Sequence, residues 1–144
     1  MCIRDSYVPK AYVSLAAHWG FNNRTVALRI PRGHGNATRI EHRVAGADAN
    51  PYLVVASILA GVSHGIANRL DPGPAVEGNS ETMEAPPLPT AWVNSLDRFQ
   101  RSEIVRGAFG APFQEVFYRL KYTERSNFER IVTPLDHLWY SRVA

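Results

Sequence analysis

The sequence has 144 residues, of which 45% are hydrophobic and 20% charged, with a formal net charge of +3 at pH 7. That length and balance suit an ordinary soluble globular chain with one modest core, a single domain being the ceiling. A nucleic-acid footprint is excluded because the arginines are dispersed, and a membrane span because no apolar run approaches the roughly 20 residues it needs.

The opening stretch Met1-Cys2-Ile3-Arg4-Asp5-Ser6 has neither a signal peptide's apolar run nor a pattern continuous with the residues after it. It resembles translated adapter sequence from library preparation. Residues 1–6 are therefore set aside, residues 7–144 are taken as native, and the protein is expected to extend upstream of Tyr7. Cys2, the single cysteine, cannot form an internal disulfide, and no paired-cysteine zinc spacing is present. A reducing cytoplasm is the expected location.

Residues 25–30 (Thr-Val-Ala-Leu-Arg-Ile) and 38–44 (Thr-Arg-Ile-Glu-His-Arg-Val) are short, β-branched and partly alternating, which predicts two strands. The intervening residues 31–36 have loop chemistry. Strand geometry puts Arg39, Glu41 and Arg43 on one face and Ile40, His42 and Val44 on the other. Asn50 before Pro51 is a helix-start signal, with an N-cap side chain ahead of a residue that loses nothing at the first helical position. A helix is predicted from Pro51 to about Asn68. Its apolar residues cover most of the circumference, which predicts a helix buried in a larger body.

Seven prolines and glycines between Asp71 and Pro89 predict an irregular segment that wraps a surface. Thr90, Ser102 and Thr133 are expected to cap helices near 91–100, 103–109 and 134–142, with a longer helix over about 112–132.

Arg24, Arg29, Arg39, Glu41 and Arg43 fall within 20 residues. A carboxylate flanked two residues away on each side by guanidinium groups, about 6–7 Å along a strand, suits a cation and phosphate oxygens that share a site. The other reading of the same pattern is a solvated strand face whose surface ion pairs contribute little.

The stretches 23–31 (Asn-Arg-Thr-Val-Ala-Leu-Arg-Ile-Pro) and 39–53 (Arg-Ile-Glu-His-Arg-Val-Ala-Gly-Ala-Asp-Ala-Asn-Pro-Tyr-Leu) resemble the signature segments of glutamine synthetases and their γ-glutamyl-amine ligase relatives. The resemblance runs to about Leu70. It implies the carboxy-terminal part of an α+β catalytic domain, an antiparallel sheet backed by helices, in a homo-oligomeric ring. It also implies phosphorylation of glutamate by ATP, followed by attack of an amine, with magnesium or manganese and arginines neutralising charge. By resemblance, Glu41 is a metal ligand and Arg29 and Arg39 contact ATP. Arg24 and Arg43 grip the γ-carboxylate and the transferring phosphate, Arg24 also belonging to the ATP set.

Departures from the family pattern narrow the amine. Ammonia-using members follow an early tyrosine with a glutamate that binds ammonium, whereas here Tyr12 precedes Val13. A valine supplies no negative charge, so a polyamine or other primary amine is expected, with ammonia as the alternative acceptor and a catalytically silent ring-forming homologue as the alternative class. The segment 41–48 has the look of the polyamine-type ligases. Ser6 stands where the family has an arginine for the α-carboxylate, a difference attributed to the adapter.

The five histidines lack a paired spacing and do not make a metal site, and His42 is expected to pack. The two glycines of residues 33–36 lack a phosphate-loop context. Trp19, Trp92, Trp139 and the phenylalanines of 109–117 are expected in cores. Arg119, Lys121, Arg125 and Arg130, interleaved with Glu124 and Glu129, predict a solvated basic helix side, or a surface that meets a neighbouring subunit.

Overall fold

A computed structural model describes residues 14–33 and 38–141. The early Tyr12-Val13 pair, Ser6 and most of the 33–36 glycine loop lie outside the described residues. The chain divides into two compact units, Met1–Ser95 and Leu96–Ala144.

In the first unit three short strands form one sheet in the order β1 (Trp19–Phe21), β2 (Leu28–Ile30) and β3 (Glu41–His42). The two expected strands are present but shorter than the sequence pattern. β2 and β3 pair antiparallel, Leu28 opposite His42 and Arg29 opposite Glu41. β1 was missed by patterning because it is three residues long with a central glycine. It pairs parallel to β2, Trp19 opposite Leu28, through a connection much shorter than the usual crossover of about a dozen residues. Asn22, at φ 48°, turns the chain out of β1, and its N–H donates to the Ile30 carbonyl at 3.0 Å. Asparagine tolerates this left-handed conformation better than most residues.

Helix α1 (Pro51–Ala67) begins as expected, with Asn50 Oδ1 accepting from the N–H groups of Tyr52 and Leu53. The expected burial in a larger body is not met within the described residues. No residue of α1 is buried, and Tyr52, Leu59 and Ile66 are 84%, 61% and 74% exposed. Its apolar character is intact, but no apolar layer among the described residues covers it.

The segment after α1 is irregular except for one 3-10 turn (Ser80–Thr82). It runs beside β1 as a strap. Val76 N–H donates to the Trp19 carbonyl at 2.9 Å, Ala17 N–H to Pro86 and Leu88 N–H to Leu15. Gly20 permits this approach, since a Cβ there would lie 2.6 Å from the Val76 carbonyl oxygen. Val26, Ala27 and Val76 form the small buried centre of this unit.

Helices α2 (Trp92–Arg101), α3 (Glu103–Phe109), α4 (Ala111–Glu129) and α5 (Pro134–Tyr140) lie close to their expected positions. Ser102 caps α3 through the Val105 N–H, and Thr133 and Asp136 cap α5 reciprocally. Gly110, at φ 84°, ends α3 and opens α4, a backbone state that a side chain disfavours. Within the second unit Phe109, Phe113 and Phe117 stack in sequence, and Phe99 meets Phe117 at a tilt. Buried Gln114 donates to the carbonyls of Phe99 and Ser102 at 2.8 and 2.9 Å. Trp92 and Trp139 are exposed, against the expectation of core packing. The charged side of α4 is laced by Arg119–Glu115, Lys121–Glu124 and Arg125–Glu129 pairs.

Candidate active site

Antiparallel register sets Arg29 opposite Glu41, so both side chains leave one face of the β2–β3 ribbon. Arg29 Nη1 donates to Glu41 Oε2 at 2.7 Å, and Arg39 Nη2 to Glu41 Oε1 at 2.9 Å. One carboxylate is thus held by two guanidinium groups, with side-chain exposures of 21% for Arg29, 30% for Glu41 and 61% for Arg39. The hydrogen bond from Arg29 is the main reason that the Glu41 carboxyl lies below the usual carboxylate range; Arg39 lowers it further, and partial desolvation opposes both. Arg29 Nε is buried with no partner among the described groups.

Arg43 and Arg24 meet at a second point. Arg43 Nη1 donates to the Arg24 carbonyl, and the Arg43 N–H donates to the Ala27 carbonyl at 3.0 Å. Arg24 and Arg32 line an open cleft of about 650 Å³, with residues 75–78 of the strap among its walls. The five sequence-predicted residues therefore fall into two groups. Arg29, Arg39 and Glu41 form an ion-paired cluster, and Arg24 and Arg43 join through the Arg24 backbone.

Sequence reasoning missed the two asparagines beside Arg24. Asn22 Oδ1 accepts from Arg32 N–H at 3.0 Å and lies 3.5 Å from Arg29 Nη2, tying Arg29 to the backbone at Arg32. Asn23 ties the strap, donating from Nδ2 to the carbonyls of Val76 and Gly78. The available signal was the Asn-Asn pair itself, a dipeptide suited to a turn and to side-chain bonds with nearby backbone. His42 is exposed instead of packed, although nearby atoms desolvate its ring enough to lower its pKa.

The donor chemistry at Glu41 suits a divalent cation. The carboxylate is kept ionised, and an oxygen accepting one N–H retains a lone pair for a metal. Magnesium ordinarily takes one or two carboxylates and completes its shell with water and phosphate oxygens. Among the described residues no three metal-binding side chains cluster, so Glu41 would be one ligand of a set.

The glutamine synthetase catalytic-domain model matches residues 4–140. The chain is 44% identical over 133 residues to gamma-glutamylputrescine synthetase PuuA of Escherichia coli, covering 92% of this chain and 28% of that protein. It is 34% identical to gamma-glutamylethanolamide synthetase GlnA4 of Streptomyces coelicolor, covering 88% and 27%. A glutamine synthetase of Pyrococcus abyssi is 32% identical, covering 82% and 28%. A solved structure described as apo GmaS without ligand superposes with a TM-score of 0.78 at 27% identity, covering 96% of this chain and 34% of that one. The fold is that of a glutamine synthetase catalytic domain. The chain belongs to the glutamine synthetase family, and it spans less than a third of the length of these curated relatives.

Proposed function

We propose that the whole protein is an ATP-dependent carbon–nitrogen ligase that joins the γ-carboxylate of glutamate to a primary amine, a polyamine such as putrescine being preferred. The observation that carries this reading is the Glu41 carboxylate held between Arg29 and Arg39 on adjacent strands. Such a cluster offers one anionic ligand for a cation and two donor forks for phosphate oxygens.

In this reading a γ-carboxylate oxygen of glutamate attacks the terminal phosphorus of ATP, and ADP departs with the bonding pair. The amine nitrogen then attacks the acyl carbon, inorganic phosphate leaves, and the nitrogen gives up a proton. Arg29 and Arg39 hold ATP oxygens, and Glu41 anchors the cation. Arg24 and Arg43 orient the γ-carboxylate and neutralise the charge that builds on the transferring phosphoryl group, Arg24 also touching ATP. When bound, magnesium or manganese supplies Lewis-acid stabilisation of that charge. A cytoplasmic homo-oligomeric ring belongs to the same proposal.

Two features support a polyamine acceptor: the 44% identity to gamma-glutamylputrescine synthetase, and Val13 after Tyr12, which leaves an ammonium ion without an anionic partner at that point. The test is phosphate release from ATP and glutamate by the whole protein, with putrescine or ammonium as acceptor. Putrescine-dependent release is expected. Efficient ammonium-dependent release would make the enzyme a glutamine synthetase, and release with neither would point to a catalytically silent homologue.

A further inference from the structure

We infer that Asn23, Thr25 and Ser80 form a latch that positions Arg24 and Arg43, so that these three uncharged side chains are positioning residues for glutamate. The inference rests on the ligase reading above and deepens it.

Arg24 sits between the two latch residues of its own strand entrance. Asn23 Nδ2 donates to the carbonyls of Val76 at 3.1 Å and Gly78 at 2.8 Å, and its Oδ1 accepts from Thr25 N–H at 2.9 Å and Thr25 Oγ1 at 2.8 Å. Thr25 Oγ1 in turn accepts from the Ser80 N–H at 3.0 Å, while Ser80 Oγ donates to the Thr25 carbonyl at 2.5 Å. Ser80 is buried, as are Val26 and Val76 beside the latch. The residues on both sides of Arg24 are therefore cross-linked to one strap.

The Arg24 carbonyl is also the acceptor for Arg43 Nη1. Fixing the Arg24 backbone fixes the origin of one guanidinium and an anchor of the other. A side chain with as many torsions as arginine loses much conformational entropy when it grips a ligand, and a fixed origin reduces that loss. Asn22 connects to Arg29 separately, so the latch acts on the Arg24–Arg43 pair and not directly on the cluster at Glu41.

The side-chain chemistry limits what can replace the latch. Thr25 needs a hydroxyl that both donates and accepts, which serine retains and valine lacks. Asn23 needs two N–H donors and one oxygen on the same planar group, which aspartate lacks.

The experiment compares wild-type whole protein with Thr25→Val, Thr25→Ser and Ser80→Ala, measuring KM for glutamate, KM for ATP, kcat and the melting temperature. Thr25→Val and Ser80→Ala are expected to raise the glutamate KM by about tenfold or more, the scale of small misplacements remote from the chemistry. Because Arg24 also touches ATP, the ATP KM should rise too but by less than the glutamate KM, Arg29 and Arg39 being untouched by the latch, and Thr25→Ser should restore the glutamate KM. Variants that only lower the melting temperature, or that weaken glutamate and ATP alike, would overturn the latch while leaving the ligase reading intact. If Thr25→Val fails to fold, Ser80→Ala decides by the same criterion. Wild-type protein inactive with every amine would overturn both readings.

Discussion

Arg29 and Glu41 are register partners across β2 and β3, and their side chains close to 2.7 Å. Because the backbone ladder sets them opposite each other, the pair needs no unusual side-chain conformation to form. Arg39 reaches the same carboxylate from two residues up the chain, which brings two cations to one anion. An anion so flanked remains ionised and holds both guanidinium groups in place.

Replacing Glu41 with glutamine keeps the shape and removes the charge. With no anionic ligand at this position, kcat/KM of the whole protein is expected to fall by about 100- to 1000-fold, the scale found when one preorganised charge-stabilising group is lost. The magnesium concentration for half-maximal activity should rise as well. A variant with unchanged metal dependence would remove Glu41 from the cation site.

The depressed Glu41 pKa also predicts a direction for stability. The folded carboxyl gives up its proton more readily than the unfolded one, so its contribution is present above the unfolded carboxylate pKa. It is lost as pH falls through the lower, folded value. Melting temperatures of wild type and Glu41→Gln should therefore converge on acidification below the usual carboxylate range. A gap that stays constant, or widens in acid, would contradict the linkage.

Gly20→Ala tests how closely the strap approaches β1. The added Cβ would meet the Val76 carbonyl oxygen at 2.6 Å, and backbone must move to relieve it. A loss of about 1–3 kcal/mol in denaturant unfolding is expected, as for other overpacked sites. Little change in stability would mean that the strap yields freely.

Gln114→Met should destabilise the second unit. Gln114 is buried, and its amide serves two carbonyls, those of Phe99 and Ser102. Methionine fills similar volume but removes one donor from each carbonyl, which keep the Ser102 and Arg106 N–H groups, at a cost of about 0.5–1.5 kcal/mol for each bond lost. Chemical denaturation of the variant measures it, and a loss below that range would show that water reaches the carbonyls.

Local signals in the sequence located most elements. Asn50-Pro51 marked the start of α1, Ser102 capped α3, and Thr133 capped α5, because capping is decided within three or four residues. The charged face of 39–43 led to Arg39 and Glu41, and Arg29 belonged to the same cluster in the sequence, although only the antiparallel register shows it opposite Glu41. β1 stayed hidden because three residues with a central glycine carry no period. The exposed α1 shows the opposite limit, since apolar composition states that a helix should be covered but not by what. The roles of Asn23 and Ser80 were illegible for a different reason. Their partners lie more than 50 residues away, and no local pattern encodes such a distance.

The bonds between Thr25 and Ser80 span 55 residues, and all of α1 lies inside that loop. During synthesis, which runs from the amino terminus, the stretch around Arg24 exists long before its partner. Until Ser80 is made, Thr25 and Asn23 can bond only to water and to each other. Long-range closures of this kind are slow relative to local helix formation. The Arg24 region therefore takes its final shape late, after α1 has been synthesised, and a nascent chain stalled before Ser80 holds the arginines but not their arrangement.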